Sequence, residues 1–151
     1  MENLKRLLLV EDSENDVELI LDALTEINIQ TVDVVRNGLE ALDFLLCRGK
    51  YEGRNNSNPV VVFLDIKMPK ITGLELLRRM KGDDNYKTIP VVMFTSSKEE
   101  SDIVKSYSLG ANAYIVKPVD IENFTKTIKG LAQFWIEMNE PPPVLKTQNV
   151  E

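Results

Sequence analysis

Histidine is absent from this sequence of 151 residues. Its absence excludes a histidine-based catalytic triad, a histidine metal ligand and a phosphohistidine. Cysteine occurs once, at Cys47. No internal disulfide and no multi-cysteine metal centre can therefore form; a lone thiol suits a reducing compartment, and a structural role is expected for it. Long hydrophobic runs are lacking too. Nothing approaches the ~20 apolar residues of a membrane span, and the short apolar run 7–10 is followed at once by Glu11 and Asp12, unlike a secretory leader. A cytoplasmic protein is expected. Positive charge is in deficit, with 18 basic against 24 acidic residues and a net charge of −6. That balance disfavours general binding to a nucleic-acid backbone, which wants a basic face.

What is present is an alternation of short apolar runs and helical patterns in a chain long enough for one domain with a single core. Residues 6–10, 31–35, 60–64, 89–94 and 113–116 are rich in Leu, Val and Ile and read as strands. Between them lie helical patterns. Ser13 is the expected N-cap of the first, with Asp16 three residues on and Val17, Ile20, Leu24 and Ile27 as its apolar face. Asn37-Gly38 opens the second, Thr72-Gly73-Leu74-Glu75 is a capping box for the third, Ser97 is expected to cap the fourth, and Asp120 opens the last. In that last helix Phe124, Ile128, Leu131, Trp135 and Met138 step by four, three, four and three residues, the face expected to pack on the sheet. Residues 48–59 are polar and Gly/Asn-rich and read as a long surface loop. Pro141-Pro142-Pro143 ends the chain's structured part, leaving a tail, residues 141–151, expected to be disordered. Strand–helix alternation repeated five times predicts an α/β fold, a parallel sheet covered on both faces. Right-handed crossovers then bring the carboxyl ends of all strands to one edge.

That edge collects Glu11 and Asp12 from the first strand, Asp65 from the third, Thr95 from the fourth and Lys117 from the fifth. Taken alone, Asp65 reads either as the start of the turn before Pro69 or as a reactive carboxylate in the crevice where open α/β sheets bind ligands. Glu11 and Asp12 alone could be a capping pair. Together, three crowded carboxylates repel one another unless a cation is present, and hard oxygen ligands with room for water suit Mg²⁺. An aspartate can act as a nucleophile toward phosphorus. Lys117 would neutralise one phosphoryl oxygen and Thr95 would hydrogen-bond another.

These motifs, in this order, resemble the receiver domain of two-component response regulators, over about residues 5–138. Thirty residues separate Asp65 from Thr95 and twenty-two separate Thr95 from Lys117, as in ordinary receivers. The resemblance implies a flavodoxin-like (βα)5 fold with strand order 2-1-3-4-5, an order that the chemotaxis member of this family exemplifies. It implies that residues 1–140 are a receiver with no output domain, and that Asp65 is the phospho-acceptor. It assigns Asp12 as a direct Mg²⁺ ligand, Glu11 as its neighbour acting through water, and the backbone carbonyl of Lys67 as the third protein ligand. Thr95 matches the hydroxyl that follows the phosphoryl group, Lys117 the phosphate-sensing lysine, Lys117-Pro118 a cis peptide, and Tyr114 the rotating switch aromatic. The partner implied is a sensor histidine kinase. Beyond self-phosphorylation and autodephosphorylation no enzymatic activity is implied. The long loop 48–59, with residues 130–135 and the proline-rich end, is similar to the single-domain regulators of cyanobacterial phytochromes.

Phe134 and Ile136 fall off the expected packing stripe of the last helix. With Ile103 and Tyr107 they suggest a homodimer through the face made by the fourth helix, fifth strand and fifth helix. Other readings fit less well. A constitutive interaction module without phosphorylation has no need of Asp65, Thr95, Lys117 and the acidic pair. A flavin-binding protein would want a phosphate loop after the first strand, where Glu11-Asp12 would repel the cofactor. An aspartate-nucleophile phosphatase wants a second aspartate where Lys67 stands.

Overall fold

The computed structural model describes residues 5–54 and 57–143. The expected disorder of the tail concerns mainly residues 144–151, which lie outside them. Five strands, β1 (Leu7–Val10), β2 (Val32–Val35), β3 (Val61–Leu64), β4 (Val91–Thr95) and β5 (Ala113–Val116), alternate with five α-helices. These are α1 (Glu14–Glu26), α2 (Gly38–Leu45), α3 (Gly73–Lys81), α4 (Glu100–Ser108) and α5 (Ile121–Ala132). All strands are parallel, in the order β2-β1-β3-β4-β5, the flavodoxin-like order expected. The near-continuous apolar runs of β1, β3 and β4 are buried on both faces, which is what a central parallel strand requires. The edge strands β2 and β5 are mostly half-buried.

Side chains alternate across the sheet, as strand geometry demands. Leu8, Val10, Val62, Leu64, Val91 and Met93 pack with Phe44, Leu76, Leu77 and Met80 of α2 and α3. Leu7, Leu9, Val61, Phe63, Val92 and Phe94 pack with Ile20, Leu24, Phe124 and Ile128 of α1 and α5. Helix starts follow the cap residues. Ser13, Asn37, Thr72 and Asp120 accept the backbone N–H of Asp16, Glu40, Glu75 and Asn123 respectively. Helix α4 differs: its N-cap is Glu99, which makes no side-chain cap, and Ser97 instead accepts the Glu99 N–H and donates to Asp102.

The end of α5 corrects the sequence reading. Residues Gln133–Met138 continue it as a π-helical turn, closed by a bond from the Asn139 N–H to the Phe134 carbonyl. Bonding five residues apart widens the turn, so a spacing of four stays on one face. Phe124, Ile128, Ala132 and Ile136 are the buried set; Leu131 and Trp135 of the expected stripe are half-buried against the same core, and Met138, at 74% exposed, is the member that leaves it. Ile136, expected at an interface, belongs to the core. The loop 48–59 is ordered where it is described. It forms a 3₁₀ turn at Gly49–Tyr51; the Tyr51 hydroxyl donates to Glu40 at 2.6 Å, and Arg54 lies 3.9 Å over the Phe44 ring while donating to the Phe44 carbonyl.

Candidate functional site

Hydrogen bonds of the sheet ladder run one residue past the strand ends and fix the backbone there. The Asp65 N–H donates to the Val10 carbonyl, that of Glu11 to Val35, and that of Lys117 to Thr95. Glu11, Asp65, Thr95 and Lys117 are thus held at one edge by the same register that forms the core. Asp65 is 7% exposed. One of its carboxylate oxygens accepts the Ile66 N–H at 2.7 Å and the other lies 3.1 Å from the Lys117 Nζ. Glu11 is buried beside it, accepting the Ser13 N–H and pairing with Lys117 at 2.8 Å. Asp12 is exposed, and oxygens of Glu11, Asp12 and Asp65 all lie within 4.8 Å of one another.

Lys117 is the electrostatic centre. Its side chain is 8% exposed and bridges Asp16, Glu11 and Asp65 at 2.7, 2.8 and 3.1 Å. Burial works to lower its pKa, but the bonds to Asp16 and Glu11 outweigh that and hold the ammonium above its ordinary value. Glu11 responds in the opposite sense for a carboxylate: burial, reinforced by nearby Asp65, pushes its pKa up to about 7 despite Lys117.

Thr95 is buried, and its hydroxyl oxygen accepts the Ser97 N–H at a long 3.4 Å. Half-buried Tyr114 donates its hydroxyl to the Ser97 carbonyl at 2.9 Å, and burial raises its pKa. Ser97 therefore joins Thr95, Tyr114 and, through Asp102, helix α4. Lys67 stands exposed two residues after Asp65. The expected cis peptide at Lys117-Pro118 is corrected: no peptide bond among the described residues is cis. The trans form is the favoured isomer even before proline, and with it Lys117 already reaches all three carboxylates. Of the residues expected at an interface, Tyr107 is 53% and Phe134 44% exposed, Ile103 is half-buried and Ile136 is buried.

Two site residues escaped sequence reasoning. Asp16 was explained by its place in the first turn of α1, where its N–H does meet Ser13; yet its side chain binds Lys117. A signal existed, because Asp16 lies four residues before buried Ile20 and so shares the stripe that faces the sheet. In the sequence Gly73 stands only as part of a capping box. Its N–H donates to the Ile66 carbonyl, and a Cβ there would stand 2.0 Å from the Asp65 carbonyl oxygen. Only glycine lets α3 start this close to Asp65.

A doubly wound parallel sheet carrying an acidic cluster and a buried lysine at its carboxyl edge defines a class of α/β signalling and ligand-binding domains. Comparison with known proteins resolves it. The response regulator receiver domain family matches residues 7–129, and the chain belongs to that family. It is 37% identical over 137 residues to the response regulator Rcp1 of Synechocystis sp., covering 88% of this chain and 90% of Rcp1. The phosphorylated cyanobacterial phytochrome response regulator RcpA superposes with a TM-score of 0.87 at 36% identity, covering 93% of this chain and all of RcpA. The Mn²⁺-bound form of Rcp1 gives 0.85 at 36% identity, with 92% and 99% covered. No described helix is long and apolar enough to cross a membrane.

Proposed function

We propose that this protein is a stand-alone response regulator that accepts a phosphoryl group from a sensor histidine kinase onto Asp65. The observation that carries the proposal is the Asp65 carboxylate itself, 3.1 Å from a charged Lys117 and grouped with Glu11 and Asp12. In the transfer, an Asp65 oxygen attacks phosphorus while the bond from phosphorus to the donor breaks and its electrons leave with the donor. Lys117 balances the charge on the phosphoryl oxygens and Thr95 donates its hydroxyl to one of them. The donor set, three carboxylates with the Lys67 carbonyl nearby in sequence, fits Mg²⁺, an ion that takes oxygen ligands and keeps waters. When bound, Mg²⁺ would neutralise the charge that Asp65 and the incoming phosphoryl group bring together; Asp12, Asp65 and the Lys67 carbonyl would hold it directly and Glu11 through water. The Mn²⁺-bound form of Rcp1 supports this reading.

Phosphorylation adds about −1.5 to −2 charge near neutral pH. Thr95 moves toward that charge and releases the Ser97 N–H, Tyr114 follows, and the α4–β5–α5 face changes its affinity for a second copy or another partner. Likeness to the phytochrome regulators Rcp1 and RcpA points to a phytochrome as the kinase. Incubation with Mg²⁺ and acetyl phosphate, followed by intact mass, tests the central claim. A gain of one phosphoryl group, abolished by Asp65→Asn, is expected; no gain, or one unaffected by that substitution, overturns it.

A further inference from the structure

We infer that Asp16 is a positioning residue that draws the Lys117 ammonium away from Glu11 and Asp65, the two members of the candidate cation group that it also contacts. The inference rests on the reading of the site as a cation-dependent phospho-acceptor. An ammonium has three protons to donate, and Lys117 aims them at three carboxylates from different parts of the fold. Glu11 and Asp65 belong to the group whose oxygens converge within 4.8 Å; Asp16 does not. A cation entering that group brings two positive charges up against an ammonium bound to the same oxygens. The ammonium must then give up contact with Glu11 and Asp65 while keeping a counter-charge, since its side chain is only 8% exposed.

Asp16 supplies that counter-charge. It makes the shortest of the three bonds, 2.7 Å against 2.8 and 3.1 Å, and it comes from α1, an element that carries neither Glu11 nor Asp65. Its position does not depend on the metal group. Its backbone N–H is fixed by Ser13, and α1 is anchored in the core through Val17 and Ile20. Without Asp16 the charged partners of Lys117 among the described residues are Glu11 and Asp65, both in the candidate cation group. Lysine and cation then compete for them directly. In the phosphorylated protein the same residue sets how far the ammonium leans toward the phosphoryl oxygens.

Two explanations predict weaker cation binding when Asp16 is neutralised: loss of the anchor for Lys117, and loss of a negative charge near the site. A double-mutant cycle separates them. Mg²⁺ affinity is measured by calorimetry on the unphosphorylated full chain for the wild type, Asp16→Asn, Lys117→Met and the double variant, with thermal melts confirming that each is folded. Asp16→Asn is expected to weaken Mg²⁺ about five- to tenfold, within the range of coupling between contacting residues. In the Lys117→Met background the same substitution is expected to change affinity less than about twofold. Should Asp16→Asn bind Mg²⁺ as the wild type does, or lose affinity equally in both backgrounds, the positioning role is wrong while the phospho-acceptor reading stands. A wild type that neither binds Mg²⁺ nor gains a phosphoryl group from acetyl phosphate overturns both. Should Asp16→Asn or Lys117→Met fail to fold, Asp16→Ser and Lys117→Gln replace them. A positive control for anchoring is then Asp16→Glu, expected to keep near-wild-type Mg²⁺ affinity, while Asp16→Ser is expected to lose affinity with Lys117 present and to change it less than about twofold in the Lys117→Gln background; an equal loss in both backgrounds overturns the role.

Discussion

Glu11 is the residue whose chemistry the fold changes most. Burial raises its pKa to about 7, so the native state binds this proton more tightly than the unfolded chain does. Its favourable contribution is complete below the ordinary carboxylate pKa and is lost as pH rises through about 7. In metal-free buffer the wild type should therefore lose stability relative to Glu11→Gln as pH is raised from about 5 to about 8, by on the order of 2 kcal/mol. Urea unfolding of both proteins across that range measures it, and parallel pH curves would show that Glu11 stays ionised. Gly73 makes a second prediction at this scale. Gly73→Ala forces a Cβ to within 2.0 Å of the Asp65 carbonyl unless the backbone moves, a strain of about 1–3 kcal/mol on overpacking precedent. Both stability and the yield of phosphorylated Asp65 should fall, the first read by denaturant unfolding and the second by intact mass. Single residues were unevenly legible in the sequence. Asp65, Glu11, Asp12, Thr95 and Lys117 each lie at the end of a recognisable strand, so their place is legible; Asp16 is legible only as a member of the sheet-facing stripe of α1, not as a partner of Lys117, and Gly73 matters through a contact with Asp65 that no local pattern announces.

At the scale of elements, apolar runs place the five strands and cap residues place four of the five α-helices, because capping and burial act over a few neighbouring residues; the cap of α4 falls two residues after the one expected, at Glu99. The end of α5 was misread because hydrophobic spacing alone does not report a change of helical bonding. A regular helix puts Met138 inside and Ile136 outside; the π turn buries Ile136 and exposes Met138, while Trp135 stays half-buried against the core. The two registers predict opposite mutational profiles. Ile136→Ala should cost about 2–5 kcal/mol as a core truncation, and Met138→Ala less than about 0.5 kcal/mol as a surface change, both measured by urea unfolding. The reverse order would restore the regular helix. Helix α4 stands at the other extreme of packing. Ser106 is its only buried residue, and Ser97 ties to its first turn through Asp102 at 2.6 Å. An element held by so few apolar contacts opens at low free energy, which suits the moving part of a switch.

For the whole molecule, the parallel order of the sheet separates chemistry from readout. Carboxyl ends of the strands gather the charged cluster, while β5, at the sheet's edge, presents α4 and α5 on its two sides. Val104 and Tyr107 on α4 are 60% and 53% exposed, and Val119, Ile121 and Phe134 around α5 are 95%, 65% and 44% exposed. Apolar side chains on both sides of one edge strand are unfavourable to leave in water, and pairing with a second copy would cover them. A homodimer through this face would have Tyr107 and Phe134 as its anchors, with Ile103 half-buried and Ile136 taken by the core. If dimerisation uses these side chains, Tyr107→Glu and Phe134→Glu should each shift the protein toward monomer in sedimentation velocity. Neither lies in the Asp65 cluster, so phosphorylation by acetyl phosphate should proceed as in the wild type. The effect should also depend on state: if Tyr114 couples the site to this face, Asp65 phosphorylation changes the wild-type dimer constant, and Tyr114→Ala removes that dependence while leaving the phosphoryl group on Asp65. A wild type that sediments as a monomer with and without phosphorylation would leave these exposed side chains to a different partner.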